Sequence, residues 1–158
     1  MHTFLGKGLN KDYEMERVYK IAQDHVISLI QTENNDEKRI LKSSLTTLIR
    51  KWCDCRSVDF VSKKAKSQAD ILGVDLFTQQ WKDQPKFDQG RKIFHLEHKY
   101  PVSDMIRDML LEPSQVEDIF NKSQFGWILK SEDILLSKYN RTNHTEEYEA
   151  AGIQLLYS

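Results

Sequence analysis

A mainly α-helical fold with a small β-hairpin is predicted by three features of the sequence. Apolar residues recur at helical spacing through the first 73 residues. Only 6 Gly and 3 Pro interrupt 158 residues, too few for an all-β chain full of turns. Two short apolar runs, 92–98 and 125–129, are the only segments that resemble strands. The chain has the length of one ordinary domain, so a single domain over 1–158 is expected.

Asn10 can cap a first helix with Asp12, Glu14 and Glu16 in its opening turn, where the helix dipole favours acids. Val18, Ala22, Val26 and Ile30 give it an apolar stripe, and the polar run 32–36 ends it. A second helix carries Leu41, Leu45, Leu48 and Trp52. The spacing of Val58, Val61, Ala65, Ala69 and Leu72 predicts a third, from Ser57 to a Gly73 cap. Residues 1–73 are thus read as a helical layer whose stripes form core. Residues 74–92 change character, and their polar second half, 82–92, is read as an exposed loop feeding the strand 92–98, which Pro101 limits.

Ser103 can cap a helix through Met105, Ile106, Met109 and Leu110, and Pro113–Glu117 reads as the capping box of another. The strand 125–129 follows. Ser131 is then the expected cap of a helix with Glu132 and Asp133 in its first turn and Leu135 and Leu136 behind. The tail from Tyr148 to Tyr157 is apolar enough to dock on the body.

No apolar run reaches the roughly 18 residues that a membrane span needs, and the N-terminus lacks a basic-then-apolar export pattern. Cys53 and Cys55 are too few for a disulfide framework and lack the paired spacing of a structural zinc site. A reducing, cytoplasmic setting without membrane contact is expected, in which the Asn140 and Asn143 glycosylation patterns are accidental. Formal charge is −1 and mildly polarised. Residues 104–158 carry 5 Lys/Arg against 10 Asp/Glu, which leaves 18 against 14 of the chain's 23 and 24 in residues 1–103. The balance permits nucleic-acid contact through the first two thirds without demanding it.

The chemistry of the chain concentrates at His95, Glu97 and His98, two imidazoles and a carboxylate within four residues. Alternation along a strand puts His95 and Glu97 on one face and His98 on the other, unless the strand ends early at Lys99-Tyr100. An early end would let Glu97 and His98 share a site. A carboxylate there can bind a divalent cation, and a neutral imidazole can take a proton from water. His95 is read either as orienting this site or as packing. Glu132 and Asp133 in a neighbouring helix start would add negative charge for a cation to neutralise, or would simply suit a solvated N-terminus.

Glu97-His98-Lys99-Tyr100-Pro101 resembles the first motif of HNH (ββα-metal) endonucleases, and Trp127-Ile-Leu-Lys-Ser-Glu-Asp133 resembles the strand-to-helix element that completes it. The resemblance implies a helical bundle carrying a ββα-metal-like core over 92–138. His98 would be the general base, and Glu97 and Asp133 the ligands of a Mg²⁺ or Mn²⁺ ion. Glu132, Asn140, Asn143 or His144 are alternatives to Asp133. The implied activity is metal-dependent hydrolysis of nucleic acid, DNA foremost.

Two rivals use other features. Glu97-x-Lys99 with Asp75 upstream resembles the PD-(D/E)XK nucleases, in which Lys helps activate water. Alternatively the chain is a non-enzymatic helical module for nucleic acid or protein, with Lys38, Arg39, Lys42, Arg50, Lys51, Lys63, Lys64 and Lys66 gripping phosphates.

Overall fold

The computed structural model describes the backbone of residues 2–139 and 144–158 and the side chains of 15–139 and 146–158. Asn140 and Asn143 therefore lie outside the described residues, as do the side chains of Asn10, Asp12, Glu14 and His144. In chain order come helices α1 (His2–Gln31) and α2 (Asn35–Asp54), strand β1 (Phe60–Ser62), helices α3 (Lys63–Ile71) and α4 (Gln84–Phe87), and strand β2 (Phe94–His98). Helices α5 (Val102–Leu111) and α6 (Val116–Lys122), strand β3 (Phe125–Leu129), helices α7 (Lys130–Leu136) and α8 (His144–Ala150), and strand β4 (Leu155–Tyr157) follow. No helix among the described residues is long and apolar enough to cross a membrane.

The chain is mainly helical, but its contacts fall into two compact units, 1–52 with 102–122 and 53–101 with 123–158. Neither coincides with the expected 1–73 layer or 92–138 core.

The first unit is all helix. Asp36 and Glu37 open α2, Lys51 lies in its last turn, and the Asn34 side chain accepts the Glu37 N–H at 3.0 Å, so both ends complement the dipole. His25 joins α1 to α2: its Nδ1 lies 2.9 Å from the Ile21 carbonyl and its Nε2 2.9 Å from Ser44 Oγ. Phe120, fully buried on α6, meets Trp52 edge-on at 4.8 Å and Tyr19 at 5.2 Å. Burying such a ring stabilises by about 1.5–3 kcal/mol. Ala22, Val26, Leu45 and Trp52 of the expected stripes are buried core, whereas Ile30 is exposed and Val18, Leu41, Leu48 and His25 are half-buried.

The second unit holds a four-stranded sheet of order β2-β3-β1-β4, where a lone hairpin was expected. β2 and β3 pair antiparallel over five residues, from Phe94↔Leu129 to His98↔Phe125. β1 runs parallel to β3 and antiparallel to β4. The helical reading of 57–62 is thereby corrected. Phe60, Val61 and Ser62 are all buried, so this central strand shows no polar alternation, and Val58 and Val61 fit a helical stripe by coincidence of spacing. The expected Ser131 cap is also displaced: the cap is Leu129, two residues earlier, and Glu132 accepts its N–H at 2.9 Å. The expected loop 82–92 instead contains short helical turns, including α4 with Pro85 in its first turn, each too brief to show a period.

Each face of the sheet has its own layer. On one, Phe60 and Ile128 pack with Leu136, Tyr148 and Ile153, so the tail does dock. Gly126 makes this possible, because a Cβ there would stand 2.0 Å from the Phe60 carbonyl oxygen and 2.5 Å from its ring. On the other face, the Phe87 ring meets Phe94 at 5.7 Å and Trp127 at 6.0 Å, both edge-on, and Trp127 Nε1 donates to the Gln79 carbonyl at 3.2 Å.

A buried carboxylate fixes where β2 begins. Asp88 accepts the backbone N–H groups of Lys92, Ile93 and Phe94 and the Gln84 amide, at 2.9–3.1 Å. Burial pushes Asp88 up, but these bonds, led by that from Phe94, outweigh it and hold the carboxyl below its ordinary value. The charged form therefore stabilises the fold above the unfolded-chain value of about 3.9, and this contribution drains away as pH falls through the lower folded value. Asp88→Asn should lower Tm at neutral pH and flatten the loss of Tm between about pH 5 and 3. Calorimetry across that range checks this, and identical acid limbs in the two proteins would contradict it.

Candidate functional site

The alternation of β2 governs which side chains can meet. His95 and Glu97 share a face, opposite Ile128 and Gly126 of β3, while Phe94, Leu96 and His98 lie on the other. β3 passes directly into α7, whose first turn carries Asp133 back over the exposed end of this face.

His95 Nε2 stands 3.3 Å from Glu97 Oε2 and 3.6 Å from Asp133 Oδ1. One ligand atom from each of the three residues lies within 4.8 Å of the others. Donors sharing an ion at 2.0–2.2 Å stand about 3–3.5 Å apart, so the His95–Glu97 spacing already suits a cation and the His95–Asp133 spacing lies just outside that range. Glu97 is 2% exposed, whereas the side chains of His95 and Asp133 are 32% and 33% exposed. The arrangement is a buried carboxylate floor with an imidazole and a second carboxylate at its open rim. A protonated His95 can bridge the two acids; a neutral one offers Nε2 as a ligand beside them.

Two hydroxyls hold the carboxylates in place. Tyr148 on α8 donates to Glu97 Oε1 at 3.4 Å, which leaves Oε2 towards His95. Ser62 at the end of β1 donates to Glu132 Oε1 at 2.5 Å, and the same oxygen accepts the Leu129 N–H. Glu132 is 2% exposed and turned inward, so it pins the first turn of α7 and does not join the cluster. Neither hydroxyl was legible as a partner, since both lie far away in sequence and neither belongs to a motif.

The other named residues lie elsewhere. β2 ends at His98, with a bend at Lys99-Tyr100, but His98 still pairs with Phe125 as the last rung and so lies on the opposite face from Glu97. Its Nδ1 is 3.9 Å from Cys53 Sγ, and its ring lies 6.0 Å from that of Phe125. Lys99 lies in the bend after β2; its Nζ donates at 2.9 Å to the OH of Tyr157, which shares the Glu97 face through the Gly126 and Phe60 registers. Asp75 caps the turn 76–78 by accepting the Phe77 N–H at 3.1 Å, and it lines a separate depression with Val61, Lys66 and Asp70. Comparison of the chain with family models, with curated proteins and with solved structures gives no match.

On the His98 face, burial pushes the Cys53 thiol up to about 12 against the opposing pull of Arg56. Cys53 is buried and Cys55 exposed. Iodoacetamide near pH 8 should therefore label Cys55 alone in the folded chain, and both thiols only in denaturant. Mass spectrometry reads the sites, and equal labelling of Cys53 in the native protein would contradict this placement.

Proposed function

We propose that the chain is a metal-dependent nuclease that hydrolyses phosphodiester bonds of nucleic acid, with DNA the foremost substrate. The observation that supports this most is the meeting of Glu97 and Asp133, from β2 and α7, beside the His95 imidazole. The three residues would hold a divalent cation such as Mn²⁺ or Mg²⁺. When bound, that cation supplies charge stabilisation for a pentavalent phosphate and its leaving oxygen. Glu97 forms the buried anchor, and Tyr148 orients it. Asp133 and His95 stand at the open rim, where a phosphate can approach.

The base is where the two nuclease readings part. The HNH reading gives this role to His98, on the far face of β2 from Glu97. The Glu-x-Lys reading gives it to Lys99, whose Nζ reaches Tyr157 on the Glu97 face of the sheet, and this favours Lys99. Asp75 is engaged at its own turn, so in this second reading Asp133 takes the acid position that Asp75 was to fill.

Supercoiled plasmid incubated with Mn²⁺ or Mg²⁺ should be nicked by the wild type. Glu97→Gln and Asp133→Asn should each slow nicking by about 100-fold. Lys99→Ala should abolish nicking while His98→Ala spares it; the reverse pattern would return the base role to His98. If neither DNA nor RNA is cut with either ion, the nuclease reading is wrong and the non-enzymatic module takes its place.

A further inference from the structure

The donor set at the β2–α7 junction distinguishes between ions. Mg²⁺ takes oxygen donors in near-ideal octahedral geometry, keeps several waters, and binds through one or two carboxylates. An imidazole nitrogen instead favours first-row transition ions, whose affinity for mixed nitrogen and oxygen sites exceeds that of the alkaline earths. His95 Nε2 faces both carboxylates, at 3.3 Å and 3.6 Å, so an ion sitting between the acids meets the imidazole as well.

We propose that His95, Glu97 and Asp133 form a three-ligand centre selective for a first-row transition ion, Zn²⁺ or Mn²⁺, over Mg²⁺. Three features of the geometry carry it. His95 and Glu97 are two apart on one strand, a spacing that keeps both donors on one face without strain. Glu97 is fixed with one oxygen on Tyr148 and the other towards His95, so it offers a single directed donor. His95 and Asp133 are each about one-third exposed, so among the described residues the outer side of the centre is open. Three protein donors with an open position are the pattern of a reactive transition-ion site, whereas a closed four-ligand cage is the structural one. Tyr148 acts here as a positioning residue.

This inference rests on the cation half of the nuclease reading and is independent of the substrate. The test is isothermal titration of the metal-free 158-residue chain with Zn²⁺, Mn²⁺ and Mg²⁺ separately, in a Cys55→Ser background that removes the exposed thiol. One equivalent of Zn²⁺ or Mn²⁺ should bind at least about 100-fold more tightly than Mg²⁺. His95→Asn, which exchanges the imidazole for an oxygen donor at a partly exposed position, should lower Zn²⁺ and Mn²⁺ affinity by about 100-fold. It should leave Mg²⁺ affinity within a few-fold, so the preference collapses. His98→Asn, on the opposite face, should change neither, and circular dichroism melts confirm that both variants fold. Equal affinity for Mg²⁺ and Mn²⁺, a preference that survives His95→Asn, or an equal loss in His98→Asn would each overturn the proposal. Cleavage of DNA by a chain without this preference would sink the selectivity and keep the nuclease reading. Selective binding without cleavage of any nucleic acid would do the opposite.

Discussion

The antiparallel ladder between β2 and β3 is the constraint on which the rest of the second unit depends. Its register decides which residues of the Phe94–His98 strand face the Phe60 layer and which face the Trp127 layer. A slip of one residue would exchange the two sets, burying His95 and Glu97 among aromatics and turning Leu96 and His98 towards Asp133. Two devices hold the register. Gly126, opposite Glu97, is the position where the Phe60 backbone and ring approach too closely for any side chain. Asp88 gathers three successive N–H groups at the entrance to β2 and so fixes the strand's first residue. One lock acts in the middle of the ladder and the other at its end.

A buried carboxylate is costly unless something compensates it, and Glu97 on β2 and Glu132 on α7 are both 2% exposed. Glu132 is compensated within the fold, by the Ser62 hydroxyl and the Leu129 N–H, and its work is structural. Glu97 has a longer contact to Tyr148 and faces the partly exposed His95 and Asp133. The chain thus separates two adjacent acids of α7 by direction: Glu132 inward to lock the helix start, Asp133 outward to the rim. Because β3 runs into α7 without a loop, fixing Glu132 also fixes Asp133.

Much of this was legible where a single element carried the signal. The strands 94–98 and 125–129 were read from short apolar runs, and the helical stripes of Ala22, Val26, Leu45 and Trp52 are core. Glu97 and Asp133 were paired through a motif resemblance, and the structure brings them together. What could not be read was non-local. β1 is buried on all three positions and reads like the helix that follows it, so the four-stranded sheet was invisible. The choice between His95 and His98 hinges on whether His98 still pairs with β3. The sequence sets the alternation, but the His98↔Phe125 pair and the Lys99 N–H donating to the Gln124 carbonyl show that it does. Ser131 has the right type for a cap, yet Glu132 supplies the bond because Ser62 waits on the far side of β3 to receive it.

The central claim is that strand register assembles one cation centre from His95, Glu97 and Asp133, with His98 excluded. Anomalous diffraction from crystals grown with Mn²⁺ tests it most directly. The account predicts one strong peak at about 2.0–2.2 Å from His95 Nε2 and from one oxygen each of Glu97 and Asp133. A peak bound by His98, or no peak at the β2–α7 junction under saturating Mn²⁺, would contradict it.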